Sequence, residues 1–260
     1  MSGGGSGSPL QPLRALVHTA WNAAADLIWP RVCPVQDCAR TSDRPHRHLC
    51  SACYASLPFM EIGSACSICG MPVAAKVEHT FVCEECESNR PAYEFARSAL
   101  KYERPVDILI QDFKYRKALH LAEDFGDILH AAAQARFNAA AVDVVIPVPL
   151  HPHRRRERGF NQSEVLAEAL ARRLDRRLDT QSLIRRRDTE HQARISGTER
   201  RDNLHAAFFV QRPEFIRGRT VLLIDDVMTS GTTLAACAGE LKKSGACRVW
   251  CLTLARALRR

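Results

Sequence analysis

Aromatic residues are scarce in this chain: Phe, Trp and Tyr make up 7% of its 260 residues, which counts against an extended base-stacking surface. No apolar run is long enough to span a bilayer, so no transmembrane segment is expected. The opening Gly/Ser-rich stretch lacks a charged n-region and does not read as a signal peptide. Residues 1–10 are expected to be a flexible tail, and the absence of an export signal favours a reducing, cytoplasmic setting. Acidic residues are outnumbered, 29 against 37 Lys and Arg, for a net charge of +8. That balance points to an anionic partner: a polyphosphate, a nucleic acid or an acidic membrane.

Cysteine, by contrast, is abundant and clustered. Eight of eleven cysteines fall between residues 33 and 86, as Cys33-x4-Cys38, Cys50-x2-Cys53, Cys66-x2-Cys69 and Cys83-x2-Cys86. Two cysteines two residues apart bridge to each other only with strain, whereas a tight knuckle readily points both thiolates at one metal. Four pairs in succession therefore favour two tetrahedral zinc sites of four cysteines each, a double zinc ribbon, over disulfides or redox chemistry. The first knuckle has the looser spacing, and His46 or His48 could replace Cys38 there.

The chain divides into four parts. Leu13, Leu16, Val17, Ala20, Trp21, Ala24, Leu27 and Ile28 recur at helical spacing, which predicts an amphipathic helix over 11–30. Its stripe suits docking onto the rest of the protein better than lying on a membrane. The cysteine module occupies 31–90, has little apolar content of its own, and draws folding energy from metal. From 91 to 260 strand and helix patterns alternate. Strands are expected over 93–102, 143–148, 207–210, 220–225 and 248–254, with helices from about Val106, near 121–137, from Asn161 and from Thr232. Asn161 and Glu164 resemble a capping box. Alternation of this kind predicts an α/β fold with a parallel sheet flanked by helices. Arg172, Arg173, Arg176 and Arg177 are expected on a solvated helix face.

The most informative segment is 220–234, Thr-Val-Leu-Leu-Ile-Asp-Asp-Val-Met-Thr-Ser-Gly-Thr-Thr-Leu. An apolar strand delivers two carboxylates to the carboxyl edge of a sheet, where open α/β folds bind ligands. Asp225 and Asp226 can accept from neighbouring ribose hydroxyls or hold Mg²⁺ through water. Thr229, Ser230, Gly231, Thr232 and Thr233 then present hydroxyls and backbone N–H groups at a helix N-terminus, which suits a phosphate. A solvated strand end would leave that hydroxyl run unexplained. A phosphorylation receiver places most of its fold after its acidic pair, and little sequence follows Asp226. A haloacid-dehalogenase-type phosphatase needs Asp-x-Asp, but Val227 and Met228 stand at the required positions. The segment resembles the signature of the type I phosphoribosyltransferases. The resemblance implies a type I phosphoribosyltransferase-like fold, binding of phosphoribosyl pyrophosphate with Mg²⁺, and catalytic roles for Asp225 and Asp226.

A pyrophosphate leaving group needs a second cradle. The best candidate follows the 143–148 strand: His151, His153, Arg154, Arg155, Arg156 and Arg158, before Gly159-Phe160-Asn161-Gln162. Arginine forks match phosphate oxygens in pairs. A cationic stretch over 185–203 lacks apolar periodicity and suits a loop closing over a polyphosphate, a surface loop, or a track for single-stranded nucleic acid.

The cysteine module, the Pro-Val-Pro-Leu-His-Pro and Arg-Glu-Arg-Gly-Phe-Asn-Gln runs, the Arg-Asp-Thr…Gln stretch and the ribose-phosphate signature together resemble the ComF family. That family comprises competence-associated, phosphoribosyltransferase-like bacterial proteins, and the resemblance spans roughly residues 27–256. It implies a role in natural transformation and DNA uptake, with single-stranded DNA and the competence machinery as partners. A glutaminase activity is not expected, because Ser2 follows Met1 where an N-terminal cysteine nucleophile would be needed. Two functions compete: a phosphoribosyltransferase releasing pyrophosphate, and a non-catalytic protein that senses the sugar phosphate or grips single-stranded DNA. A transcriptional regulator ranks last, for want of a helix-turn-helix.

Overall fold

A computed structural model describes residues 30–61, 63–73, 80–187 and 207–258. The expected tail, the amphipathic stretch up to residue 29 and the cationic stretch over 188–203 lie outside the described residues. The chain forms two compact units, Met1–Ala55 and Ser56–Arg260. The second cysteine set therefore belongs to the same unit as the sheet.

In the first unit the Cys33 knuckle is a short antiparallel turn. Cys33 N donates to Arg40 O at 2.9 Å, and Ser42 N to Arg31 O at 2.8 Å. Helix α1 (Ser51–Ala55) starts directly after Cys50 and carries Cys53. Asp43 accepts from Ser51 N at 2.7 Å and also from the Ser51 hydroxyl, satisfying a donor that the helix start leaves open.

The second unit opens with the second cysteine set, which includes α2 (Glu84–Ser88). A five-stranded parallel sheet follows: β1 (Phe95–Lys101), β2 (Val144–Pro147), β3 (Arg177–Leu178), β6 (Thr220–Met228) and β7 (Arg248–Arg256). Its order is β1-β7-β6-β2-β3, every pair parallel. Strands β4 (Leu183–Arg185) and β5 (Phe208–Val210) form a separate antiparallel pair. The helices are α3 (Val106–Tyr115), α4 (Ala122–Arg136), α5 (Pro152–Arg158), α6 (Gln162–Leu174) and α7 (Thr232–Lys243).

The central strands are runs of buried β-branched and leucine side chains, as a sheet covered on both faces requires. Successive side chains alternate faces. Val144, Ile146, Val221, Leu223, Val249 and Cys251 share one core with Leu234, Ala238 and Leu241 of α7 and with the second cysteine set. Their neighbours Val145, Leu222, Ile224 and Leu252 point the other way, where α4 and α6 pack on the sheet and on each other. Phe113 and Phe125 meet edge to face there, with ring centroids 5.3 Å apart.

Several sequence expectations shift. The 149–162 segment, for which no helix before Asn161 was expected, contains α5, with His151 as N-cap, Pro152 at its first position and Gly159 (φ +82°) closing it. Pro at the first helical position and Gly just past the end suit even so short a helix. Strand β6 runs three residues past Asp225, because β7 is long enough to keep pairing with it, Asp225 opposite Thr253 and Met228 opposite Arg256. Arg185, expected in the polar stretch, is a buried residue of β4. Asn161 caps α6 by accepting from Ser163 N at 3.1 Å, but Glu164 pairs with Arg155 at 3.0 Å.

Arg173 is not solvated. Its guanidinium reaches Asp127 Oδ1 at 2.9 Å, Glu123 Oε2 at 2.8 Å and Ala169 O at 2.7 Å, tying α6 to α4. Burial raises the Glu123 carboxyl, but Arg173 and Arg172 outweigh it and hold the group below the ordinary range. Gly126 makes this approach feasible: a Cβ there would lie 2.5 Å from Arg173 Nη1 and 2.9 Å from Ala169 Cβ. Replacing a helical glycine with alanine normally stabilises by about 1 kcal/mol. Here the pinned guanidinium reverses the sign, and Gly126→Ala is expected to cost about 1–3 kcal/mol in chemical denaturation. A gain in stability would show that α4 and α6 have room to spare.

Candidate functional site

The chain leaves β2 toward β3 on one side of the sheet, and leaves β6 toward β7 on the other. Adjacent strands that depart in opposite directions leave a crevice at their carboxyl ends, and open α/β sheets bind ligands there. Asp225 and Asp226 lie on β6 at this point, beside the β2 exit, where Val148 N donates to Ile224 O at 2.8 Å.

Alternation turns the two carboxylates apart. Asp226 meets Lys114 Nζ of α3 at 2.7 Å, both side chains largely buried. Asp225 Oδ1 accepts from Ser163 Oγ of α6 at 2.8 Å and from Asp226 N at 2.9 Å. Burial, with the adjacent Asp226 charge second, pushes the Asp225 carboxyl up to about 7; Ser163 and Lys114 only partly offset this. Two carboxylates side by side resist joint ionisation unless cations or donors join them.

After Met228 come Thr229 and Ser230, both exposed, and Gly231, buried with φ +81°. A Cβ on Gly231 would stand 2.6 Å from Met228 Cε and 3.3 Å from Tyr93 Oη. The left-handed backbone and the crowding each exclude other residues. Ser230 Oγ lies 2.7 Å from Thr232 Oγ1 and accepts from Thr232 N at 3.4 Å, while Gly231, the N-cap of α7, offers no side chain of its own. Backbone donors at the start of α7 and three threonines thus cluster within a few residues of the twin acids.

The six basic residues after β2 separate once α5 forms. His151 accepts from His153 N at 3.4 Å. Arg154 pairs with Glu157 at 3.1 Å, and His153 stands 3.7 Å from the same carboxylate. Arg158 donates to Gln162 Oε1 at 3.0 Å and lies over the Tyr115 ring. Arg155 and Arg156 line a cavity of about 530 Å³ together with Pro147, Pro149, Asn161 and Arg185. The twin acids are not among its lining residues.

The cysteines gather as two groups, Cys33, Cys38, Cys50 and Cys53, and Cys66, Cys69, Cys83 and Cys86. Within each, all four sulfurs lie within 4.8 Å of one another. Zinc–sulfur bonds of about 2.3 Å in a tetrahedron separate sulfurs by about 3.8 Å; Cys38 and Cys50 Sγ are 3.9 Å apart, and Cys69 and Cys83 Sγ 3.7 Å. Backbone N–H groups point at the sulfurs, Cys53 N at Cys50 Sγ (3.5 Å) and Cys83 N at Cys66 Sγ (3.4 Å). Burial alone would raise the Cys50 and Cys66 thiols, but these donors bring each down to about 7. The donor set fits zinc, and Cys38 rather than His46 or His48 completes the first group. Its wider spacing is absorbed by a turn in which Asp37 takes a positive φ of 64°.

Sequence reasoning did not single out Lys114, Ser163 or Tyr93 as site residues, and it placed Arg185 in a polar loop rather than in a strand. Ser163 carried a usable signal, since it sits beside a helix cap at the carboxyl edge of the sheet. Lys114 carried none, because only the tertiary fold brings α3 over β6.

Comparison with known proteins fits this architecture. The phosphoribosyl transferase domain family matches residues 161–260, and the double zinc ribbon domain family matches residues 24–87. DNA utilization protein YhgH of Escherichia coli O157:H7 is 32% identical over 215 residues, covering 80% of this chain and 90% of that protein. Competence protein F of Haemophilus influenzae is 31% identical over 80% of this chain and 90% of its own length. Competence protein ComFC of Bacillus subtilis is 29% identical over 82% and 86%. A solved glutamine phosphoribosylpyrophosphate amidotransferase from B. subtilis overlays 55% of this chain and 30% of its own, with a TM-score of 0.39 and 17% identity. With relatives this similar over most of their length, and with both halves of the architecture matched, the chain belongs to the ComF family, proteins that join a double zinc ribbon to a phosphoribosyltransferase-type domain.

Proposed function

We propose that this ComF-type protein binds phosphoribosyl pyrophosphate with Mg²⁺ in the crevice between β2 and β6, and acts there as a phosphoribosyltransferase. One observation carries the reading: two adjacent carboxylates, flanked by Ser163 and Lys114, stand at the sheet's reversal point just before a hydroxyl-rich helix start. Asp225 and Asp226 would hold the ribose diol, and Thr229, Ser230, Gly231, Thr232 and Thr233 the 5′-phosphate. His151, His153, Arg154, Arg155, Arg156 and Arg158 would serve the pyrophosphate side, with Arg155 and Arg156 at the 530 Å³ cavity carrying most of that duty. Bound Mg²⁺ supplies charge neutralisation for the departing pyrophosphate.

In the transfer, an acceptor nucleophile forms a bond to the anomeric carbon as that carbon's bond to pyrophosphate oxygen breaks, the electron pair leaving with pyrophosphate. The side chains contribute orientation and electrostatic stabilisation. The relatives' names, competence protein and DNA utilization protein, support a role in DNA uptake, with single-stranded DNA and competence machinery as partners. A phosphoribosyltransferase domain from residue 91 onward, zinc as the structural ion in both cysteine groups, and a cytoplasmic location complete the proposal. Among the described residues no helix is long and apolar enough to cross a membrane.

The alternative, a non-catalytic single-stranded DNA-binding or sugar-phosphate-sensing factor, draws on the arginines around α5. If those arginines track a nucleic-acid backbone, single-strand affinity falls steeply with salt, and replacing Arg155 and Arg156 flattens the slope. A salt-independent affinity removes the electrostatic track.

Three measurements test the main reading. Asp225→Asn with Asp226→Asn is expected to abolish binding of phosphoribosyl pyrophosphate and Mg²⁺ by calorimetry while zinc content stays at two ions per chain, one for each cysteine group. Unchanged affinity would overturn the assignment, and a single zinc would remove one ribbon site. The raised Asp225 pKa has a signed consequence. The protonated form is favoured in the folded state, so that stability is present at acid pH and is lost as pH rises from the unfolded carboxylate range through about 7. Asp225→Asn should therefore melt progressively higher than the wild type as pH climbs from about 4 to about 8; a constant difference contradicts the shift.

A further inference from the structure

The second cysteine group and the sugar-phosphate loop share one stretch of core. Cys66, Cys69 and Cys86 are buried in the same cluster as Tyr93, Met228 and Leu234. Two arginines clamp the Cys66–Cys69 knuckle by its carbonyls. Arg97 Nη2 donates to Ser67 O at 2.9 Å, and Arg256 Nη1 donates to Cys69 O at 2.6 Å.

Arg256 is the unusual one. It is 3% exposed, its Nε has no hydrogen-bond partner, and no carboxylate pairs with it among the described residues. A buried guanidinium without a counter-charge is strongly destabilising. Four thiolates around one zinc carry two net negative charges, and that centre sits one carbonyl away.

The same guanidinium reaches toward the ligand loop. Arg256 Nη1 lies 2.9 Å from Met228 Sδ, and Met228 ends β6 where the loop begins. Met228 Cε and Tyr93 Oη close off the space beside Gly231, 2.6 and 3.3 Å from where a Cβ would stand, and Gly231 holds the left-handed turn before α7. Cluster, arginine and methionine are thus in continuous contact, and the methionine methyl fills the space beside the glycine.

We propose that Arg256, Met228 and Tyr93 are positioning residues that make zinc at Cys66, Cys69, Cys83 and Cys86 set the shape of the 229–233 loop. Zinc there and phosphoribosyl pyrophosphate in the loop then raise each other's affinity. Loss of zinc loosens the Cys66–Cys69 knuckle that Arg256 holds by the Cys69 carbonyl, and so releases Met228 from the turn. The ligand half of this statement rests on the site assigned above; the loop half does not.

Reciprocity supplies the test, because two coupled sites must strengthen each other equally. On the full-length protein, a chelator releases two zinc ions, and phosphoribosyl pyrophosphate with Mg²⁺ is expected to slow the release of one and leave the other unchanged. Arg256→Met should speed release of one ion about tenfold, as loss of a group bonded to a ligand residue does, and weaken phosphoribosyl pyrophosphate by a similar factor. Hydrogen exchange reads the loop without ligand: amides 229–235 should exchange several-fold faster in Arg256→Met and after chelation. Unchanged exchange with faster zinc release overturns the coupling. Should Arg256→Met not fold, Tyr93→Phe decides by the same readout, since it keeps all four thiols and removes only the hydroxyl facing Gly231. If the wild type fails to bind phosphoribosyl pyrophosphate while exchange responds to zinc as predicted, the coupling stands and the ligand assignment falls.

Discussion

Two adjacent carboxylates at the end of a buried strand are costly, first because burial strips them of water and second because they repel each other, and the rest of the crevice is arranged around that cost. Lys114 supplies a cation to Asp226 and Ser163 a hydroxyl donor to Asp225, each from a different helix. Neither fully compensates, since burial, with the Asp226 charge second, still holds the Asp225 carboxyl above the ordinary carboxylate range. A site left with unspent carboxylate capacity suits a ligand that brings hydroxyl donors or a divalent cation of its own. Helices α3 and α6 must therefore dock on the sheet for the acid pair to be tolerated, which couples core packing to the site.

The parallel sheet sets where that pair can act. Because β2 and β6 send the chain in opposite directions, their carboxyl ends stay uncovered by a crossover. The α5 segment enters from one side and the 229–233 turn from the other. The short α5 distributes its basic side chains around a helix, so only Arg155 and Arg156 line the cavity, while Arg154 and Arg158 bond to Glu157 and Gln162. The second cysteine group abuts the loop from beneath, through Tyr93, Met228 and Arg256. In this chain a ribbon is part of the sheet's core rather than an appendage.

Much of this was legible in the sequence, for reasons that can be named. The strand over 220–225 reads clearly because a buried parallel strand must be apolar throughout, which makes Asp225 and Asp226 conspicuous; its continuation to Met228 depends on pairing with β7. The cysteine groups read clearly because metal geometry demands fixed ligand spacing; only tertiary structure showed that Cys38, despite its wider interval, completes the first. What the sequence concealed depends on distance along the chain. Lys114 is 112 positions from Asp226, and no local pattern announces that contact. Arg173 looked like one more surface arginine because its partners Glu123 and Asp127 lie on another helix. α5 was hidden by its composition, since a run of arginines has neither apolar periodicity nor length, and only the flanking Pro152 and Gly159 marked its ends.

On the function proposed above, the twin aspartates and the threonine-rich turn hold one sugar phosphate between them. A crystal structure with phosphoribosyl pyrophosphate and Mg²⁺ tests it most directly. The ribose hydroxyls are predicted within hydrogen-bonding distance of Asp225 and Asp226, and the 5′-phosphate on the backbone amides of residues 229–233. Density for the ligand elsewhere, or a crevice that stays empty at saturating ligand, would contradict the account.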